Sequence, residues 1–82
     1  TPRERKAPLR TSVDILLDLL NDRYFDVRVE AIKALSIYDS QRVLDALHNA
    51  KNDSNSIVKA EAKKAYYAMN IRMKQKNESK TK

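Results

Sequence analysis

The chain has 82 residues, with 17 basic and 11 acidic side chains, no cysteine and no glycine. This length allows one domain at most, close to the size at which a lone core is only marginally stable. The lack of cysteine excludes disulfides and thiolate metal sites, and the lack of glycine excludes a glycine-rich phosphate loop. No apolar run is long enough to span a bilayer, so we expect a soluble protein with no membrane insertion. The lack of cysteine is compatible with a reducing, intracellular setting, and we predict a cytoplasmic location.

The net charge of +6 lies mostly near the two ends of the chain. Residues 1–10 carry four basic groups and one acidic group, and residues 70–82 carry five and one, whereas residues 11–50 have an acidic excess. Such basic, polar ends are typical of solvated segments. We therefore predict a flexible basic arm at 1–10, a folded part at 11–70 and a basic, frayed tail at 71–82.

The first predicted helix follows Thr11 or Ser12, either of which can cap it, and it places Asp14 in its first turn. Its apolar residues recur at helical spacing but cover more than one face, which predicts burial on two sides. They are Val13, Ile15, Leu16, Leu17, Leu19 and Leu20.

The second predicted helix runs from about Phe25 to Ile37, after a break at Asn21 and Asp22. Small residues at Ala31 and Ala34 allow two helix axes to approach closely. Val29 and Ile32 lie on another side of this helix, so we expect them to need a second covering partner.

Two further helices complete the predicted fold. Helix three runs from about Gln41 to Lys51 with Asp39 as its expected cap. Helix four follows a polar turn with Asn55 or Ser56 as its cap and runs to about Lys74, burying a stripe that includes Tyr66.

The second half of the chain repeats the first at a distance of 31 residues. Nine of the 21 positions from Asp14 to Ala34 are identical to the position 31 residues later, whereas unrelated segments would share about one or two. A duplicated helix pair follows from this. We predict an all-α fold of four helices, in which two antiparallel helix-pair repeats, 11–39 and 40–70, form a short right-handed α-solenoid.

Each repeat has an aspartate in its inner turn, followed five and six residues later by Val-Arg or Val-Lys. Asp22 precedes Val27-Arg28, and Asp53 precedes Val58-Lys59. This pattern resembles the HEAT repeat, including its short phycobiliprotein-lyase type, over roughly residues 12–69. The resemblance implies a hydrogen-bonded ladder between repeats, in which Lys59 lacks the planar fork of arginine. The ladder residues are Asp22, Arg28, Asp53 and Lys59.

Catalytic and metal-binding groups have no recognisable pattern in this sequence, so we predict no enzyme activity, no cofactor and no metal. His48 is the single histidine and is interpreted as a surface or capping residue. Asp14, Asp18, Asp22 and Asp26 recur every four residues, a spacing that is also typical of a solvated helix face.

Helix four carries the candidate contact surface, a basic stripe with one aromatic residue. Lysines on the outside of a terminal repeat also serve solubility, which is the plainer interpretation. The candidate contacts to a protein or to phosphates are Lys59, Lys63, Lys64, Tyr67, Arg72 and Lys74.

The function favoured by these features is a scaffold module that binds another protein. One alternative is nucleic-acid binding through the basic tails and helix four, and another is an accessory part of an enzyme, as in lyase-type repeats. The second repeat is the more polar one, so we hypothesise a fragment or C-terminal cap of a longer solenoid, or a pair that forms a homodimer or meets neighbouring repeats through the first repeat.

Overall fold

The computed structural model describes the backbone of residues 10–81 and the side chains of residues 10–76. Over this range the chain forms four helices and no strand, so the predicted all-α fold is confirmed. No helix in this range is both long and apolar enough to cross a bilayer. The predicted arm lies outside the described residues except for Arg10. The helices are α1 (Ser12–Leu19), α2 (Phe25–Leu35), α3 (Gln41–Ala50) and α4 (Ser56–Thr81).

Polar side chains at the helix starts explain where α1, α3 and α4 begin. Thr11 and Asp14 form a reciprocal capping box on α1, in which each side chain binds the other residue's main-chain N–H. The Asn55 side chain caps α4 by accepting the N–H groups of Ile57 and Val58. The cap of α3 is Ser40, whose hydroxyl accepts the N–H of Val43, so the expectation of Asp39 at this position is wrong.

The inner turn has the same hydrogen bond in both copies. The Asp22 carboxylate accepts the Tyr24 N–H at 2.9 Å, and the Asp53 carboxylate accepts the Asn55 N–H at 2.8 Å. A short polar side chain that binds the backbone two residues on holds the chain in a turn and competes with helix formation. The duplicated aspartates therefore separate the two helices of each pair.

The ends of α2 and α4 differ from the predicted ends. α2 ends at Leu35 and not at Ile37, and the hydroxyl of Ser36, its C-cap residue, donates to the Lys33 carbonyl. α4 continues to Thr81 and not to about Lys74, and Met73 packs against the core. Residues 71–76, which we expected to be frayed, therefore belong to the folded part of the chain.

The core lies between the two helix pairs, which we call the first pair (α1 and α2) and the second pair (α3 and α4). α4 packs against both α2 and α3, and α1 packs mainly against α2. Ala31 and Ala62, at equivalent positions, are both buried and allow close approach of the helices. The largest fully buried side chains are Ile32, Leu35, Val43, Leu47, Val58 and Met69.

Two expectations about the first pair are corrected by this packing. Ile32 is completely buried within the chain, so it needs no second chain to cover it. α1 has no fully buried residue, although we expected it to be buried on two sides. The reason is its place at the edge of the fold, where Leu17 and Leu20 are half-buried against the core and Ile15 is half-exposed.

Candidate functional site

The predicted ladder residues Asp22, Arg28 and Asp53 are brought together between the two pairs. Arg28 Nε lies 2.9 Å from Asp53 Oδ2 and Arg28 Nη2 lies 3.1 Å from Asp53 Oδ1, the two-pronged geometry of an arginine–carboxylate pair. Arg28 Nη1 also donates to the Asp22 main-chain carbonyl at 2.7 Å. Arg28 therefore joins the inner turns of both copies, with Asp22 contributing its backbone oxygen and not its carboxylate.

The fourth ladder residue, Lys59, stands apart. It is exposed on α4, and its ammonium forms no ion pair with any described side chain from 10 to 76. The Arg28–Asp53 pair is only about one-seventh exposed, at 15% and 14% of the two side chains. Burial raises the pKa of Asp53, but the Asn55 N–H and the Arg28 guanidinium outweigh burial and hold it below its ordinary value. The carboxylate is thus kept charged at neutral pH.

A second ion pair, which the sequence did not indicate, joins the later part of α4 to the segment between α2 and α3. Arg72 Nε donates to both carboxylate oxygens of Asp39 at 3.1 and 3.2 Å, and Arg72 Nη2 donates to the Ser36 carbonyl at 2.6 Å. Lys76 also reaches Asp39 at 3.4 Å. These cations hold the pKa of Asp39 below its ordinary value against the opposing effect of burial. Arg72, predicted as a partner or phosphate contact, is therefore already bound inside the chain.

The other candidate contacts lie exposed on α4. Lys59, Lys63, Lys64, Tyr67 and Lys74 all face solvent, and Lys64 has an acid neighbour, Glu61, at 3.8 Å. The helix turns about 100° per residue, so Lys63, Tyr67 and Lys74 fall on the side opposite the buried residues Val58, Ala62 and Met69. These residues belong to the basic stripe that the sequence predicts, and their contacts to a partner stay a prediction.

Large apolar side chains share the exposed side of α4 with these lysines. Ile57, Tyr67 and Ile71 are 53%, 53% and 56% exposed. The sequence prediction did not include the two isoleucines in the exposed stripe, because the spacing of apolar residues does not show which side of α4 packs against other helices. We define the outer face of α4 as Ile57, Lys63, Lys64, Tyr67, Ile71 and Lys74.

An aromatic cluster lies beside the outer face at the end of α3. Lys51 Nζ lies 4.2 Å from the centre of the Tyr66 ring and 5.1 Å from that of Tyr67, a cation–π arrangement. His48 is exposed and contacts Tyr66, with 5.2 Å between ring centres. Tyr66, predicted as core, is half-buried and packs against the core, while its ring also contacts Lys51 and His48.

Two open grooves lie between the helices. One, of about 500 Å³, runs between α1 and α3 over Leu17, Leu20 and Ala46 and is bordered by Asn49 and Asn52. The other, of about 330 Å³, lies between α2 and α4 and is lined by Ile32, Ala65 and Ala68 among others. Among the described residues no group of three His, Cys, Asp or Glu side chains is placed to hold a metal ion.

Comparison with models of protein families gives a match. A family model described as HEAT repeats matches residues 4–66, which is more than half of the chain. No curated protein and no solved structure matches the sequence or the fold.

Proposed function

The chain belongs to the HEAT-repeat family, and we propose that it is a non-catalytic scaffold module that binds another protein through the outer face of α4. HEAT repeats commonly mediate protein–protein interaction, and the family is generally non-enzymatic. The intracellular location and the contacts of individual lysines stay predictions.

One observation carries this proposal: α4 has large apolar side chains on two opposite sides, and the described residues 10–76 cover only one of them. Val58, Ala62 and Met69 are buried against the other helices, while Ile57, Tyr67 and Ile71 are more than half exposed. Exposure of several large apolar side chains on one side of a helix opposes solubility, and such exposure is typical of an interaction site. The lysines beside the patch would border a contact as its polar rim.

Nucleic-acid binding through α4 has less support. Arg72, the only arginine on α4, is bound to Asp39 and the Ser36 carbonyl, and Lys64 neighbours Glu61. Phosphate contacts also gain nothing from exposed isoleucines, since the backbone charge dominates such binding. A protein surface accounts for both the lysines and the isoleucines.

Affinity capture from an extract of the cells that make the protein tests this function. The double variant Lys63→Glu/Tyr67→Ala should retain much less of the captured partner than the unmodified chain, while its circular dichroism spectrum stays the same. The matched control is Lys33→Glu/Ile37→Ala, which reverses one charge and truncates one exposed apolar side chain on the first pair. Equal loss in both variants, or no loss in the first, would assign binding elsewhere.

A further inference from the structure

The exposed residues of α4 follow the spacing of a helix–helix seam. Ile57, Ala60, Lys64, Tyr67, Ile71 and Lys74 are separated by three, four, three, four and three residues. This alternation keeps side chains on one narrow line along a helix, as in two helices that pack side by side. From first to last the line is about 25 Å long, at about 1.5 Å per residue.

Stacking of a further helix pair does not explain this line. Val29 and Ile32 of α2 are buried in the core that the two pairs share, and their counterparts 31 residues later are Ala60 and Lys63. Ile57 instead corresponds to Asp26, which stays exposed even though the first pair has a neighbour. Ile71 has no counterpart on α2, because α2 ends before the equivalent position. Ala60 and Lys63 stand where a further helix pair would pack, and a pair like the first would bury the Lys63 ammonium in place of Ile32, so stacking of such a pair is disfavoured on this face.

The charge of α4 indicates which kind of helix can pack along this line. From Ser56 to Lys76 the helix carries six basic residues and a single acid, Glu61, which lies at the edge of the outer face beside Lys64. A second copy of α4 would bring lysines against lysines, and like charges at close range oppose packing. A helix with acidic residues beside its apolar stripe would instead pair with Lys63, Lys64 and Lys74.

We propose that the outer face of α4 binds an amphipathic α-helix of another protein, whose apolar stripe packs on Ile57, Tyr67 and Ile71 while its flanking Asp or Glu side chains pair with the lysines. This inference rests on the proposed function and specifies its partner. Helix-in-groove recognition uses the same anchors at intervals of three and four residues.

Selection from a library of displayed random peptides tests the proposal, with peptides of roughly 18 residues so that a helical binder reaches along the whole face. Enriched sequences should carry apolar residues at spacings of three and four with Asp or Glu beside them. Their affinity, measured by fluorescence anisotropy, should fall at least about tenfold in Ile71→Asp and in Lys64→Glu.

The control variants are Ile15→Asp and Lys33→Glu. Ile15 is a helical isoleucine of similar exposure to Ile71, 50% against 56%. Lys33 lies 3.8 Å from Glu30, the same distance that separates Lys64 from Glu61. Both controls should bind the enriched peptides within about twofold of the unmodified chain, as exposed sites outside a contact do.

Several results would overturn the proposal. These are an absence of enriched peptides, enriched sequences without the acidic helical pattern, or binding that ignores Ile71→Asp. Displacement of the peptides by random duplex DNA, with a steep salt dependence, would show that the face binds phosphates. A dimer in sedimentation that becomes a monomer in Ile71→Asp would show that the face binds a second copy of the chain. If partner capture still depends on Lys63 and Tyr67 in any of these cases, the scaffold function stands and only the helical partner falls.

Discussion

The two helix pairs share their inner turns and their small-residue contacts but differ at the positions where the first pair packs against the second. Leu17 and Leu20 of the first pair are half-buried, whereas their counterparts are His48, which is exposed, and Lys51, which lies over two tyrosine rings. Ile32 is fully buried, and its counterpart Lys63 is exposed. The same repeat position is therefore core in one copy and surface in the other, because burial depends on the neighbour and not on the motif.

The largest expected effect comes from the Ile32 and Lys63 positions. Ile32→Ala should lower the free energy of unfolding by about 2–5 kcal/mol, because it leaves a cavity in the shared core. Lys63→Ala should change it by less than about 0.5 kcal/mol, as exposed substitutions do. Urea unfolding followed by circular dichroism measures both. Similar losses of unfolding free energy in the two variants would mean that Lys63 is buried as Ile32 is.

The two ladder cations should differ almost as much. Arg28→Ala leaves the Asp53 carboxylate without its two-pronged partner and should lower the free energy of unfolding by about 2 kcal/mol, because Asp53 is mostly buried. Lys59→Ala is the control at the equivalent position and should have little effect. The two positions would prove equivalent if Lys59→Ala lowered the free energy of unfolding as much as Arg28→Ala in the same urea titration.

The Arg72–Asp39 ion pair, which binds the later part of α4, should contribute less to the free energy of unfolding. Arg72→Ala should lower the free energy of unfolding by roughly 1 kcal/mol, because the Arg72 side chain is 42% exposed and solvent screens it. Amide hydrogen exchange should accelerate from Ile71 onward while Val58–Ala65 stays protected. Unchanged exchange beyond Ile71 would show that α4 continues without help from Asp39.

Acid should destabilise the fold through its bound carboxylates. Hydrogen bonds from Thr11 and then Arg42 lower the pKa of Asp14 from 3.8 to about 2, so the folded state favours its charged form. The resulting stabilisation is fully present above pH 3.8 and is lost as the pH falls towards about 2. Asp14→Asn should flatten the fall in thermal midpoint over this window, and an unchanged slope would refute the assignment.

The smallest expected effect on stability comes from the two equivalent Glu–Lys neighbours. Lys33→Glu and Lys64→Glu should each change the free energy of unfolding by less than about 0.5 kcal/mol, because both lysines are exposed and each lies 3.8 Å from its glutamate. Differential scanning calorimetry at low and high salt measures the difference. A large loss in Lys64→Glu alone would mean that Lys64 supports the fold, so its loss of binding could not be read as a contact effect.

Local chemistry explains which parts of the fold the sequence predicted. The period of 31 residues, the turn aspartates and the Thr11 cap act over a few residues, so their patterns are visible in the chain. The Arg28–Asp53 contact was reached through the family resemblance and not from spacing. Helix content and the number of helices followed from these signals.

Long-range contacts explain what the sequence could not predict. Arg72 and Asp39 are 33 residues apart, and nothing near either residue indicates the other. The same is true of the exposure of Ile57 and Ile71, because an apolar residue has the same spacing whether its side of the helix is covered or open. The low burial of α1 depended on its edge position, which only the packing of four helices determines.

The central claim is that the two pairs share one fold and that only the second carries a binding surface. The most direct test is nuclear magnetic resonance of the ¹⁵N-labelled chain. Its amide chemical shifts are compared before and after addition of a peptide that the selection against this protein has enriched. We predict shifts along α4 between Ile57 and Lys74, with α2 from Phe25 to Leu35 unchanged. Equal shifts on both helices, or shifts confined to the groove between α1 and α3, would contradict the claim.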